Sequence, residues 1–357
     1  MKNLHIISNE KFTFPYIKFI NSNFKVEEHY FLIIDLDSRE EFIYNYPNIK
    51  RIKTLKKEEN FFKSFIKIIS LYFLLMENMK KSEKIYFHGS VIKEIVLFLF
   101  IFRNFLKKSY WIIWGQDLYS YVKRKKSMAY EIYYKIEDFM KKNFKGYITH
   151  IEGDYRLAQK WYGAKGRYYN CFMYPSNLYK GIKFNKKEKE EMYVQIGNSA
   201  DPSNNHFDIL RKLEKYKLKN IKIYCPLSYG DMEYAKKVIK EGKEIFKDNF
   251  IPLSEFMEYD KYLEFLSKID IAIFAHDRQQ AVGNITSLLS MKKTVYLKGS
   301  VTTYKMLKDL GIKVKDFNKF ENLEKFNDDI LEKNREIIKK RFSEKRLIQD
   351  LKNIFGN

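Results

Sequence analysis

Three short stretches carry polar, hydrogen-bonding chemistry in a chain otherwise made mostly of Lys, Ile, Phe, Tyr and Glu. The first is GNSADPSNNH (197–206). Gly197 permits a tight turn and the close approach of a ligand. Asp201 followed by Pro202 reads as the N-cap and first turn of a helix. A helix start presents free N–H groups and a partial positive charge, which suits phosphate. Asn198, Ser199, Ser203 and Asn204 add side-chain donors. By itself the stretch is equally an ordinary capped turn, because it is neither a Walker motif nor G-x-G-x-x-G. The second stretch, RQQAVGN (278–284), tips the balance. Arg278, Gln279 and Gln280, then Gly283 and Asn284, lead into another helical pattern, and an Arg beside a helix start can clamp a diphosphate. The third is WIIWGQDLY (111–119), where Asp117 follows Gly115; His88 ends the preceding apolar run. Either is a candidate general base for an acceptor hydroxyl. The plain alternatives are a helix cap for Asp117 and a backbone hydrogen bond for His88. Tyr224, Pro226 and Leu227, at another strand exit, are expected near a base or ribose.

Metal chemistry finds little support. Asp35-Leu36-Asp37 has the two-carboxylate form of some metal sites, but three letters at a strand end are a weak signal. No His, Cys, Asp and Glu cluster has ligand spacing, so no metal or other cofactor is expected. Cys171 and Cys225 are far apart, which argues against a disulfide scaffold and fits a reducing compartment.

The elements that position these loops follow from short apolar runs at 4–8, 30–35, 84–89, 110–115 and 146–151. A second series lies at 192–198, 221–227, 249–256, 269–276, 294–299 and 312–317. The runs are β-branched or aromatic and unalternating, as when both faces of a strand are buried. Helical patterns separate them. Two β-α-β series predict two Rossmann-like parallel-sheet α/β domains. The expected limits are 1–180 for an acceptor-side domain and 190–327 for a nucleotide-sugar domain. A helical tail, 328–357, is expected to pack back on the first. The polar loops all follow strands, so they fall on the carboxyl edge where such sheets bind ligands. Two edges facing across a cleft suit a nucleotide sugar and its acceptor.

The formal net charge is +22. No helix-turn-helix, zinc-finger or RNA-recognition signature accompanies it, so nucleic acid is not an expected partner. The stretches 61–81 and 91–109 interleave aromatic and aliphatic residues with Lys and Arg. They are too interrupted to span a bilayer. They read as core-facing helices, one of which also touches an anionic membrane surface. The first ten residues form a strand, not a signal peptide.

The residues already quoted also carry a family resemblance. HG (88–89), WIIWGQDLY, GNSADPSNNH and RQQAVGN resemble the family 56 glycosyltransferases, as do EGDY (152–155), YP (174–175) and LSEFMEYDKYLEFLSKID (253–270). The similarity runs over about 84–300; GNSADPSN is its most specific element. Those enzymes are TDP-N-acetylfucosamine:lipid II N-acetylfucosaminyltransferases of enterobacterial common antigen assembly. The resemblance implies a GT-B fold and a hexosyltransferase. It implies transfer of a deoxy-acetamido-sugar from dTDP to a polyprenyl-diphosphate-linked saccharide, without metal, at the cytoplasmic membrane face. The alternatives are another donor (UDP or GDP) or glycan acceptor, and a nucleotide-sugar binding protein with no transferase activity.

Overall fold

The computed structural model describes residues 1–10, 12–35, 46–53, 61–89, 91–181 and 191–356. The chain divides into two compact units, 1–176 with 347–357, and 177–346.

The first unit holds seven parallel strands: β1 (Asn3–Ser8), β2 (His29–Asp35), β3 (Ile49–Lys53), β4 (Lys84–His88), β5 (Ser109–Ile112), β6 (Gly146–Ile148) and β7 (Arg167–Tyr169). Their order is β3-β2-β1-β4-β5-β6-β7. β3 and β7 are the two edges, and sequence patterning did not anticipate them. Their residues, IKRIK and RYY, are interleaved with cations, as befits strands with one open side. Asp35 ends β2, whereas Leu36 and Asp37 of the two-carboxylate pattern lie outside the described residues.

The sheet is covered on both faces. On one, Leu4, Ile6, Ile85, Phe87 and Trp111 pack under the helices Phe61–Lys81, Lys93–Ile101, Met128–Lys142 and Glu152–Tyr162. On the other, His5 stacks on Phe31 and Tyr86 with ring centroids 4.7 and 5.0 Å apart, and Tyr86 stacks on Tyr110 at 5.2 Å. This aromatic row is roofed by Tyr16 of the helix Thr13–Asn23 and by Phe355 of the terminal helix Glu344–Phe355. The expected single helical tail is two helices, Asp328–Arg341 and Glu344–Phe355.

The second unit holds six parallel strands: β8 (Met192–Ile196), β9 (Ile221–Pro226), β10 (Phe250–Leu253), β11 (Ile271–Phe274), β12 (Thr294–Leu297) and β13 (Lys315–Asp316). Their order is β10-β9-β8-β11-β12-β13. In such sheets the ligand crevice opens where the order reverses, beyond the carboxyl ends of the central pair. Here that is between the loops after β8 and β11. In the first unit it is between the loops after β1 and β4.

Candidate functional site

In the second unit the polar loops after β8, β9 and β11 are tied together. Gly197 leaves β8 at φ 62°. A Cβ there would stand 2.3 Å from His206 Nε2, so only glycine fits. Asp201 does act as a cap, since its carboxylate accepts from Ser203 N at 2.8 Å. What it caps is one 3₁₀ turn, Pro202–Asn204, not the helix. Asn205, at φ 52°, then resets the chain, and the helix His206–Leu213 follows.

Asn204 is wholly buried and makes four hydrogen bonds. Its Oδ1 accepts from Asn198 N and meets His276 Nε2, both at 2.9 Å. Its Nδ2 donates to Ser199 Oγ at 3.2 Å and to Asp201 O at 2.9 Å. Asn204 and Ser199 therefore hold the loop from beneath. The side chains left at the surface of the crevice are others. Ser203 Oγ donates to Gln280 Oε1 at 2.9 Å, Gln280 Nε2 donates to Asn198 Oδ1 at 3.3 Å, and Asn198 Nδ2 donates to Tyr229 OH at 3.0 Å. Arg278 Nη2 lies 3.8 Å from Asp201 Oδ2. The buried Gln279 Oε1 has no hydrogen-bond partner among the described residues. The helix after β11 is Val282–Ser290, so Gly283 and Asn284 lie in its first turn, among N–H groups with no intrahelical acceptor.

The β9 exit departs from expectation. Leu227 is buried in the apolar core. Tyr224 sits mid-strand with its ring against Tyr193 and Phe265, and Pro226 ends the strand, buried. Tyr229, two residues past Leu227, is the residue of this exit that reaches the polar network. Parallel pairing of Ala200 with Gly230 extends the sheet to carry it there.

In the first unit Asp117 and His88 are both within 2% of full burial. Trp111 Nε1 donates to Asp117 Oδ2 at 2.6 Å and Trp114 N donates to Oδ1 at 3.0 Å. Burial raises the carboxyl's pKa, while Lys141 and these donors lower it. The carboxylate lines a cavity of about 190 Å³, yet both its oxygens are occupied. The geometry makes Asp117 the anchor of the Trp114–Gly115 turn.

His88 is held on both ring nitrogens as well. Its Nδ1 lies 2.7 Å from Tyr174 OH, and its Nε2 lies 3.1 Å from His5 Nδ1. His5 Nε2 in turn lies 3.1 Å from His29 Nδ1. The three imidazoles run diagonally across β4, β1 and β2 on the aromatic face. Burial holds them neutral, lowering His5 well below the usual value, His29 to about 4 and His88 to about 3. Tyr174 OH also accepts from Trp114 Nε1 at 2.7 Å. Gly89, at φ 69°, makes room for that indole: a Cβ would stand 2.3 Å from its ring. At the crevice itself, the β1 exit offers Glu10, an exposed residue. Its N–H donates to Thr13 Oγ1 at 3.1 Å, and that hydroxyl donates to Ser8 O at 2.7 Å.

A family model described as "4-alpha-L-fucosyltransferase glycosyl transferase group 56" matches residues 18–335. The chain belongs to that family. It is a hexosyltransferase, and the reading as a binding protein without transferase activity gives way. The match begins well before residue 84, where the motif similarity starts, and takes in most of the first unit.

Solved structures show the GT-B fold over essentially the whole transferase. A sucrose-phosphate synthase from Thermosynechococcus elongatus is similar at TM-score 0.70 and 8% identity, with 100% of this chain and 98% of that one covered. A glycosyltransferase from Rickettsia africae gives TM-score 0.67 at 11% identity, covering 99% and 97%. A glycosyltransferase involved in lipopolysaccharide biosynthesis gives 0.59 at 10% identity, covering 100% and 95%.

Several residues of the transferase's two units escaped sequence reading. Tyr229 and His276 carry no motif. His5 and His29 left one trace, a titratable ring at the edge or centre of an otherwise apolar strand. Tyr174 was visible only within the YP pair.

Proposed function

We propose that the transferase moves a deoxy-acetamido-hexose of the N-acetylfucosamine type from a dTDP donor. The acceptor would be a polyprenyl-diphosphate-linked saccharide at the cytoplasmic face of the membrane. One observation carries the donor half. The Ser203–Gln280–Asn198–Tyr229 chain of hydrogen bonds, with Arg278 against Asp201, makes one polar surface of three strand-exit loops. It lies at the point where the strand order reverses, beside the first turn of Val282–Ser290.

On this reading the diphosphate takes the N–H groups of that first turn and the Arg278 guanidinium, displacing Asp201 as its ion partner. Charge grows on the diphosphate as the glycosidic bond breaks, and fixed donors aimed at it favour the transition state over the ground state. No metal is invoked, because a cation and oriented amides supply the countercharge. Gln279 Oε1 is an acceptor for a sugar hydroxyl or acetamido N–H. The acceptor hydroxyl loses its proton to Glu10, the exposed carboxylate at the first unit's crevice.

Calorimetric titration with dTDP, UDP and GDP, followed by transfer assays on a polyprenyl-diphosphate-linked saccharide, tests the assignment. Arg278→Ala should lower turnover by roughly 2–4 kcal/mol in barrier terms, the usual loss on removing one such donor. Unchanged turnover in a well-folded Arg278→Ala protein would sink the diphosphate role. Tighter binding of UDP or GDP than of dTDP would replace the donor.

A further inference from the structure

Most of the exposed large apolar side chains among the described residues lie on one side of the first unit, between Phe65 and Ile132. All but Phe102 and Val122 are carried by the three helices Phe61–Lys81, Lys93–Ile101 and Met128–Lys142, whose opposite sides pack on the sheet. Phe65, Ile69 and Phe73 recur at four-residue spacing on the first helix and are 52%, 39% and 74% exposed. Leu97 and Ile101, again four apart, are 40% and 62% exposed on the second, and Ile132 is 58% exposed on the third.

The three helices form one continuous surface. Tyr72 OH donates to Glu94 O at 3.0 Å and its ring meets Phe98 at 5.1 Å, joining the first helix to the second. Phe100 meets Phe139 edge-on at 5.6 Å, and Lys93 lies over the Tyr130 and Tyr133 rings, joining the second to the third.

Cations border this apolar surface. Lys63 and Lys67 interleave the exposed residues of the first helix. Arg103 and Lys107 follow the second, and Lys123, Lys125 and Lys126 precede the third. Through Met76 the first helix contains no acidic residue. No helix among the described residues is long and apolar enough to cross a membrane.

An apolar surface with a basic border fits one occupant best. Aromatic and aliphatic groups enter the boundary between headgroups and acyl chains, while Lys and Arg meet anionic headgroups. A protein partner would have to match a surface on which cations stand among the apolar groups. A bilayer of anionic lipid matches it without a specific shape.

We propose that the outer face of these three helices is the surface by which the transferase seats on an anionic bilayer. The first helix, about 30 Å long, would lie in the plane of the interface. The inference deepens the lipid-linked-acceptor reading by naming the surface that meets the lipid. It stands separately from it, because bilayer binding needs neither donor nor acceptor.

The test is co-sedimentation of the full chain with vesicles of phosphatidylcholine and phosphatidylglycerol, and with phosphatidylcholine alone. The variants are Phe65→Ser/Ile69→Ser/Phe73→Ser and Leu97→Ser/Ile101→Ser. All five positions are exposed and formal charge is unchanged, so loss of binding cannot come from lost electrostatics. Each variant should bind the anionic vesicles about tenfold more weakly, or about 1.4 kcal/mol. Leu218→Ser, at a 93% exposed leucine of the second unit, should bind as the parent does. Three results overturn the proposal: no binding by the parent chain, equal binding by parent and both variants, or a parent dimer that the variants dissociate with vesicle binding unchanged. Transfer to a water-soluble saccharide acceptor should survive the substitutions. If vesicle binding behaves as stated but no lipid-linked saccharide is used, the acceptor reading fails and the surface stands.

Discussion

Acid should unfold this protein well before its carboxylates titrate. Five of its six histidines, His5, His29, His88, His206 and His276, are at least 98% buried. Desolvation is the leading cause in each case. It pushes His29 and His206 down to about 4 and His88 and His276 down to about 3, with His5 well below its ordinary value. Charges nearby only modify this. Lys2 lowers His29 and Glu28 raises it, while Arg278 lowers His276 and Asp201 and Asp277 raise it.

An unfolded imidazole takes its proton near pH 6.5, whereas His29 and His206 in the fold do so only near 4 and His88 and His276 near 3, with His5 held well below its ordinary value. The unfolded state therefore binds more protons throughout that window, and stability falls as pH drops below about 6.5. Between pH 7.5 and 5 each imidazole costs about 2 kcal/mol, whatever its folded value, provided that value stays below 5. His29 and His88 together cost the first unit about 4 kcal/mol, with His5 adding in the same direction, and His206 and His276 cost the second about 4 kcal/mol. Asp117 opposes this only at the acid end, because its raised carboxyl takes up a proton earlier in the folded state.

A loss of about 4 kcal/mol in a unit of this size lowers its melting temperature by roughly 8–16 °C. The assay can be confined to that unit, since the tryptophans Trp111, Trp114 and Trp161 all lie within 1–176. Tryptophan emission followed through thermal melts at pH 7.5, 6 and 5, at constant ionic strength, reads it directly. A shift below about 5 °C would refute the argument that these rings are buried and neutral. His5→Phe is the internal control. It should destabilise the unit at pH 7.5 by about 1–3 kcal/mol, because His29 and His88 each lose a partner. It should also reduce the pH dependence.

Asp117→Asn should lower stability by about 2–3 kcal/mol, since an amide N–H₂ would face one of two fixed donors, Trp111 Nε1 or Trp114 N. A variant with native urea stability and a collapsed kcat would make Asp117 a base and not a structural anchor. Gly89→Ala should cost at least about 2 kcal/mol, from left-handed backbone and collision with the Trp114 ring, and should shift tryptophan emission. An unchanged spectrum and melt would argue that the indole is free to move. Glu10→Gln should leave donor binding alone and lower kcat by the 10²–10⁴ typical of a lost general base. Full turnover would return the base to an unassigned residue.

What could be read in advance follows from how local each signal is. The central strands were visible because burial on both faces demands uninterrupted apolar residues. β3 and β7 were not, because an edge strand tolerates Lys50, Arg51 and Arg167. The donor loops were visible because polar and glycine residues cluster at strand exits, but composition does not separate residues that present from residues that support. Asn204 and Ser199 look like ligands in the sequence and prove to be buried supports. Leu227 looked like part of the β9 exit, but its side chain belongs to the core. Asp117 and His88 were found as chemically capable groups. Their actual partners, Trp111 and Trp114 for one, and His5 and Tyr174 for the other, depend on strand order and register. The His5–His88 contact joins residues 83 apart, which no local pattern announces.

The roof over the aromatic face has a consequence for synthesis. Phe355 closes the row formed by His5, Phe31 and Tyr86, yet its segment begins 171 residues after Ser176, the last residue of the unit's main part. At the usual pace of a ribosome that interval is roughly ten to thirty seconds. During it the first unit waits with its row of imidazole and phenol rings open to solvent, while the second unit is made and folds. Residues 1–176 and 347–357 therefore share one core, and the first unit is completed only after the second has been made.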